Sequence, residues 1–223
     1  MIRALMGLLL ALGLVSGCNA FEKSDYADAV RTAVRIDDPK YGGTGSGVLV
    51  TDSLILTANH VIWEYQEEYF TVRFSNGETR TAKVVMQGTN INEDWALLSF
   101  MPAVNIKPAD WDCNSKYERG ERLLTAGHPL SLMPAIVFKG RISGLRFMKR
   151  ADGSPVWDNK ARITDLPGIP GTSGAGVQNE DGRVIGIHVG SLGYPFKFGY
   201  RQMFVGSWAG IMWPINETDL CRK

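Results

Sequence analysis

Apolar and polar residues alternate with a period of two along much of the chain, which is the pattern of half-buried β-strands. The segments Phe70–Phe74 and Thr79–Met86 alternate around Ser75-Asn76-Gly77, so they predict a β-hairpin. The apolar runs Val48–Val50 and Leu54–Thr57 surround another turn and predict a second hairpin. Many short strands separated by Gly and Pro turns predict an all-β protein. The other predicted strands are Trp95–Phe100, Arg122–Ala126, Ala135–Leu145, Ala161–Thr164, Val184–Val189 and Arg201–Val205.

The predicted strands form two groups, separated by a stretch rich in Pro, Asp, Asn and Lys that lacks a clear period. We therefore expect one β-structure over residues 41–105, a link over 106–121, and a second β-structure with a C-terminal segment over 122–223. Residues 18–40 are predicted to be a tether, and the polar part over 19–30 is consistent with either a tether or a short helix. A further short helix is expected near the C-terminus.

The N-terminus has the organisation of a secretory signal. Arg3 precedes an apolar run from Ala4 to Val15, which is too short to span a bilayer. The tetrad Val15-Ser16-Gly17-Cys18 resembles a bacterial lipobox, which implies removal of residues 1–17 and lipidation of Cys18. The alternative is an ordinary signal peptide with Cys18 as a structural thiol. We expect an exported protein, anchored by lipid to a bacterial membrane and located in the cell envelope or periplasm.

Composition excludes several classes of protein. The 223 residues are 44% hydrophobic and 21% charged, which is typical of a globular protein. Lys and Arg number 24 against 23 Asp and Glu, so a protein that binds nucleic acid through charge is not expected. The chain's three histidines lie in no His-Glu-x-x-His context, so neither a metal nor a cofactor is expected.

The three cysteines fit an oxidising compartment. If Cys18 carries lipid, Cys113 and Cys221 remain, and an even remainder suggests one disulfide bond. Two unpaired thiols are the alternative, because pairing does not follow from sequence alone.

Three positions carry candidate chemistry. His60 follows a predicted strand, and an imidazole can accept and return a proton near neutral pH. Asp94 directly precedes a buried strand, where a carboxylate needs a partner such as an imidazole N–H; Glu93 faces the opposite way in an extended segment. Ser173 is flanked by glycines, and the backbone N–H groups of Gly171 and Ser173 can point together at an oxyanion. Taken singly, each position is equally consistent with a surface histidine, a solvated turn acid or a plain turn.

Their order is more specific than any one of them. His60, Asp94 and Ser173 follow the order His, Asp, Ser, which is that of the chymotrypsin catalytic triad. Over about residues 40–215 the chain resembles the bacterial trypsin-like serine proteases. The motifs that carry this resemblance are Gly47–Val50, Thr57–His60, Asp94–Leu98, Gly171–Gly176 and Val184–His188.

The resemblance implies two six-stranded antiparallel β-barrels and a serine endopeptidase that cleaves polypeptides through an acyl-enzyme. Ser173 would be the nucleophile, His60 the general base and acid, and Asp94 the residue that orients His60. The N–H groups of Gly171 and Ser173 would form the oxyanion hole. The alternative function is a catalytically silent, protease-like binding module at the cell surface.

Two residues depart from the pattern of the digestive family members. Thr172 stands where those members have Asp, which pairs with a new N-terminus on activation, so this chain should not need that activation. Ala175 stands where Gly is commoner, and we expect it to be tolerated provided that its φ is negative.

The segments expected to bind the substrate argue against trypsin-like specificity. Pro167 occupies the position six residues before Ser173, where a preference for Arg or Lys would need Asp. The strand around His188 resembles that of glutamyl endopeptidases, in which the histidine contacts an acidic side chain. Those enzymes carry Thr or Ser where this chain has Gly168, so acidic and small or apolar preferences both stay open. A purely structural role for His188 is the third possibility. The residues expected to bind substrate are Gly168, His188, Val189 and Gly190.

Overall fold

A computed structural model of the chain describes residues 21–38, 42–63, 69–88, 93–144, 160–198 and 201–221. The signal segment and Cys18 lie outside these residues. In the described ranges, every helix is too short or too polar to cross a bilayer.

The described residues form two closed barrels of six antiparallel strands, as the resemblance predicted. In the N-terminal barrel the strands are β1 (Ala33–Asp37), β2 (Thr44–Leu49), β3 (Leu54–Thr57), β4 (Tyr69–Phe74), β5 (Thr79–Gln87) and β6 (Ala96–Phe100). Around this barrel the order is β1-β2-β3-β6-β5-β4. Every second residue of β4 is buried, which is the alternation that the sequence predicted for it.

The C-terminal barrel has the order β10-β11-β12-β9-β8-β7. Its strands are β7 (Arg122–Gly127), β8 (Ile136–Gly144), β9 (Arg162–Thr164), β10 (Gly176–Gln178), β11 (Val184–Phe198) and β12 (Arg201–Pro214). Strands β11 and β12 are much longer than predicted, because they pair with each other over most of their length.

The helices are short. They are α1 (Lys23–Thr32), α2 (His60–Trp63) and the single 3₁₀ turns Pro129–Ser131 and Ile215–Glu217. The second of these turns lies where the sequence predicted a short C-terminal helix. Helix α1 begins with a capping box, in which Glu22 and Asp25 bond to each other's backbone N–H groups.

The predicted tether over residues 18–40 is wrong for its second half. Residues 33–37 form β1, which closes the N-terminal barrel by pairing with both β2 and β4. Val34 and Ile36 are fully buried, whereas Arg35 and Asp37 point to the other face and pair with each other. The alternation is too short, and too interrupted by charge, to stand out in the sequence. The N-terminal barrel therefore begins at residue 33 rather than at residue 41.

Helix α1 belongs to the folded domain as well. It lies against the C-terminal barrel, where Ala29 packs with Leu124 and Ala126 of β7. Because β1 follows α1 directly but belongs to the other barrel, this segment connects the two barrels.

Two of the four apolar clusters in the described residues bear directly on the position of the site. One fills the N-terminal barrel around Phe70, Phe74 and Leu98. The other joins the barrels, since it combines Leu56 and Trp95 from the N-terminal barrel with Trp213 from the C-terminal barrel. This packing brings the strand ends of both barrels together at one junction.

Cys113 and Cys221 form a disulfide bond, as the cysteine count suggested. Their Cα atoms lie 5.6 Å apart although the residues are 108 positions apart in sequence. The bond fastens the link between the barrels to the C-terminal segment. On the entropic model, closing a loop of this length stabilises the fold by roughly 5 kcal/mol.

Candidate active site

Strand pairing brings His60 and Asp94 together. Thr57 at the end of β3 pairs with Ala96 at the start of β6, so the residues just beyond these two positions are neighbours. The Asp94 side chain is only 4% exposed, and its two oxygens have different partners. Oδ1 accepts the backbone N–H of His60 at 2.9 Å, and Oδ2 lies 2.7 Å from His60 Nδ1.

This contact sets the tautomer of His60. An ionised carboxylate has no proton to donate, so Nδ1 carries the hydrogen and Nε2 keeps a lone pair. The His60 side chain is 44% exposed, so its outer edge faces the cleft rather than the core.

Ser173 lies on the loop before β10 and lines the same cavity as His60. The cavity has a volume of about 160 Å³, and its other walls come from β1, the hairpin between β1 and β2, and Val61. The structure therefore brings all three predicted triad residues to one place at the barrel junction.

Glycine is required on both sides of Ser173 because the backbone there lies too close to other backbone groups to leave room for a side chain. Gly174 has a φ of +87°, and a Cβ at this position would lie 2.0 Å from the carbonyl oxygen of Ser46. Gly171 has a φ of +95°, and a Cβ there would lie 2.4 Å from the carbonyl oxygen of His128. Among the described residues other than glycine, φ is positive at Tyr117, Leu130 and Ser131 but not at Ala175, so the condition for an alanine at that position is met.

The predicted oxyanion donors are available. Among the residues that the structure describes, the N–H groups of Gly171 and Ser173 donate no hydrogen bond. Thr172, between them, is buried and its hydroxyl donates to Ile169 O at 2.7 Å. A hydrogen bond within the loop therefore occupies the position at which an Asp of the digestive family members would form an ion pair.

The residues expected to bind substrate converge beside this loop. A Cβ on Gly168 would lie 2.1 Å from the Cβ of Ser191, so Gly168 and β11 are in close contact. A Cβ on Gly210 would lie 2.8 Å from Thr164 Oγ1 and 2.9 Å from His188 Cε1. Three neighbouring strands therefore meet here, and Thr164 and His188 are the buried polar side chains at the contact.

The remaining pocket candidates contribute differently from expectation. Val189 is 1% exposed and packs in the cluster between the barrels, so only its backbone can face a substrate. Gly190 follows it on β11 and is partly exposed. Asp165 follows Thr164, and its carboxylate accepts the backbone N–H of Arg141.

His188 is wholly buried. Desolvation, with a smaller contribution from the nearby His60, lowers its pKa from 6.5 to about 4. Its Nδ1 is buried and finds no hydrogen-bond partner within the described ranges. The free protein therefore holds His188 as a neutral imidazole at neutral pH.

Sequence reasoning missed several residues of the site. Ser46 contacts both Gly171 and Ser173, and Thr164 and Gly210 pack beside His188. None of them stands in a motif with chemistry of its own. Within the described ranges, no three His, Cys, Asp or Glu side chains lie close enough together to hold a metal ion.

The fold and site define a two-barrel, trypsin-like peptidase, and comparison with known proteins agrees. Residues 45–187 match the model of the trypsin-like peptidase domain. The match covers more than half of the chain, and the chain belongs to this family of serine proteases.

Several bacterial serine proteases are similar to it. A Do-like serine protease, HtrB, from Bacillus subtilis is 34% identical over 60% of this chain. The putative serine protease HhoB from Synechocystis is 30% identical over 68% of the chain. The chain spans 29% and 35% of the lengths of these two relatives.

Solved structures share the fold. A serine endoprotease from Yersinia pestis has a TM-score of 0.63 and 24% identity, over 85% of this chain and 61% of its own. The HtrA-type protease AlgW, solved with a tripeptide, has a TM-score of 0.65 and 23% identity, over 86% of this chain and 58% of its own. At these identities the similarity shows the fold.

The buried His188 predicts a specific dependence of stability on pH. The unfolded chain binds a proton at this residue below about pH 6.5, whereas the folded chain binds it only near pH 4. The free energy of unfolding should therefore fall as the pH drops from about 6.5 to about 4, and His188 should contribute no slope above that window. Urea unfolding at several pH values should show a shallower slope in His188→Asn than in the wild type. Equal slopes in the two proteins would show that His188 is not held neutral in the folded state.

Proposed function

We propose that the protein is a serine endopeptidase that hydrolyses polypeptides through an acyl-enzyme. The observation that carries the proposal is the constellation at the barrel junction. A buried carboxylate holds His60 in one tautomer, and Ser173 lines the same cavity as that imidazole.

The proposed chemistry follows from the positions of the protons. His60 Nε2 accepts the proton of the Ser173 hydroxyl while Oγ attacks the carbonyl carbon of the scissile bond. The negative oxygen that develops is stabilised by the N–H groups of Gly171 and Ser173. Protonated His60, which the Asp94 carboxylate stabilises, then gives its proton to the leaving amine. A water molecule, activated by the same imidazole, releases the acyl group and restores Ser173.

A catalytically silent binding module has less support. Such a module has no need for two backbone N–H groups free to donate beside a serine, or for a buried carboxylate that fixes the tautomer of an imidazole facing the cleft. The peptidase function uses both features.

Replacement of Ser173 tests the nucleophile directly. The mature domain should react with a fluorophosphonate probe to give one label per chain, detected by intact-mass spectrometry, and Ser173→Ala should abolish it. Thr172→Ser keeps a hydroxyl at the adjacent position and serves as the control that should still be labelled. Labelling that persists in Ser173→Ala would rule out the assigned role of Ser173.

For specificity, we propose that the protein accepts an acidic side chain before the cleaved bond, next to Gly168 and His188. Thr164 and His188 both lie beside Gly210, and the His188 imidazole becomes cationic when a carboxylate binds next to it. Because the pKa of His188 is about 4 in the free protein, an acidic side chain must raise this pKa on binding. The preference should therefore strengthen as the pH is lowered.

Matched peptides test this preference. Peptides that differ only in Glu or Gln before the cleaved bond should give a kcat/KM ratio of about ten or more in favour of Glu. His188→Asn should reduce the ratio to about one with little loss on the Gln peptide. A mixed peptide library read by mass spectrometry provides the independent check. Cleavage that clusters after small or apolar residues would show that the acidic preference is wrong.

We also propose that the protein is exported and anchored to a membrane through lipid on Cys18. The lipobox-like tetrad supports this proposal, and so does the disulfide bond, which is typical of oxidising compartments. Each buried methylene of an acyl chain would contribute about 0.8 kcal/mol to membrane binding.

Expression of the full chain in a bacterial host tests the anchor. The mature N-terminal peptide should begin at Cys18 and carry the mass of a diacylglyceryl group, and the protein should sediment with membranes. Cys18→Ala should move it to the soluble fraction, whereas Cys113→Ala leaves the lipobox intact and should not. An unmodified N-terminus at another residue would overturn the proposal.

A further inference from the structure

Ser46 is a buried polar residue at the junction of the two barrels. It belongs to β2 of the N-terminal barrel and is 0% exposed. Its N–H donates to Ser173 O at 2.7 Å, and its own carbonyl accepts the Thr57 hydroxyl at 2.7 Å. Its hydroxyl donates to Gly171 O at 2.6 Å and accepts the His128 N–H at 2.9 Å. One side chain of the N-terminal barrel thus contacts the nucleophile loop and a neighbouring loop of the C-terminal barrel.

The two peptide groups on either side of Gly171 are held by hydrogen bonds. In the first, Pro170 O accepts the N–H of Leu130 at 2.7 Å. In the second, Gly171 O accepts the hydroxyl of Ser46, and the Thr172 N–H donates to Ile169 O at 2.9 Å. A peptide group is planar and trans, so fixing the direction of Pro170 O also fixes the opposite direction of the Gly171 N–H. The two bonds of the second group fix the peptide that follows and so limit rotation about Gly171.

Sterics alone do not fix this orientation. Gly171 has a φ of +95°, and glycine changes its backbone angles at a small steric cost. A rotation of either peptide would turn an N–H away from the position of the oxyanion. The hydrogen bonds that hold the two carbonyls therefore decide whether the donor is in place.

The loop that holds Pro170 O depends on the N-terminal barrel as well. Leu130 and Ser131 have φ values of +52° and +65°, which are unfavourable for residues with side chains. Ser131 is held by Arg35, whose guanidinium donates to Ser131 O at 2.7 Å, and by its own hydroxyl, which donates to Thr44 Oγ1 at 2.9 Å. The hairpin that carries Ser46 thus supports both sides of Gly171.

We propose that Ser46 is a positioning residue for the oxyanion hole, and this inference rests on the proposed peptidase function. Its hydroxyl holds the Gly171 carbonyl, so that the N–H groups of Gly171 and Ser173 point to one position. Without the hydroxyl, Gly171 O and the buried His128 N–H lose their partner, and the loop gains other conformations. The N-terminal barrel then contributes to oxyanion stabilisation in addition to supplying His60 and Asp94.

The test separates positioning from a general structural role. Ser46→Ala should lower kcat by roughly 10- to 100-fold and leave KM nearly unchanged, because the hole stabilises the transition state and not the bound substrate. Inhibition by a peptide aldehyde, whose adduct with Ser173 places an oxygen in the hole, should weaken by a similar factor. Binding of the cleaved product peptide, which needs no oxyanion, should not change.

Thr218→Val is the matched control. It removes a buried hydroxyl that donates to a backbone carbonyl, Ile215 O, outside the loop of Ser173. It should destabilise the fold to urea as Ser46→Ala does, but leave kcat and the aldehyde affinity within about twofold of the wild type. If Ser46→Ala fails to fold, Ser46→Cys replaces it, since a thiol fills the space but donates only weakly.

The outcomes separate the two proposals. A wild-type protein without turnover or probe labelling refutes the peptidase function, and the role of Ser46 with it. An active wild type with an equally active and equally inhibited Ser46→Ala variant refutes the role of Ser46 alone. A loss of kcat that Thr218→Val matches shows that Ser46 is structural.

Discussion

A carboxylate that is almost excluded from water is the constraint around which the site is organised. Burial of Asp94 would be strongly unfavourable without partners, and two N–H groups of His60 supply them. The same contacts fix the ring of His60 and leave its second nitrogen facing the cleft. Stability and chemistry therefore depend on one pair of residues, placed by the antiparallel pairing of β3 and β6.

The second barrel adds a serine and a pair of backbone donors. Neither is held by that barrel alone, because the loop that carries them is bonded to β2 of the first barrel. Closed barrels are stiff and have no free edges, so both barrels hold the loops at their junction in place. The disulfide bond between Cys113 and Cys221 and the packing of α1 hold the two barrels to each other.

Sequence patterns predicted the strands that alternate or form apolar runs, including the hairpin of β4 and β5. They missed β1, where charged residues interrupt a short alternation, and β10, which follows a run of glycines. They also placed the ends of β11 and β12 too early, because extension of these strands comes from their mutual pairing. A strand forms where a neighbouring strand is available to pair with it, and the sequence of one strand does not identify that neighbour.

By itself, the sequence determined which reactive groups are present, their order along the chain, and the glycines that a close backbone approach requires. Only the tertiary structure decided that Asp94 meets His60, that two cysteines 108 positions apart are bonded, and that His188 is buried as a neutral imidazole. It also decided the role of Ser46, whose hydroxyl reaches a carbonyl 125 positions away. Local patterns encode whether a residue prefers a strand or a turn. Partners, burial and shifted pKa values arise when distant segments close into barrels, because they depend on which groups exclude water from one another.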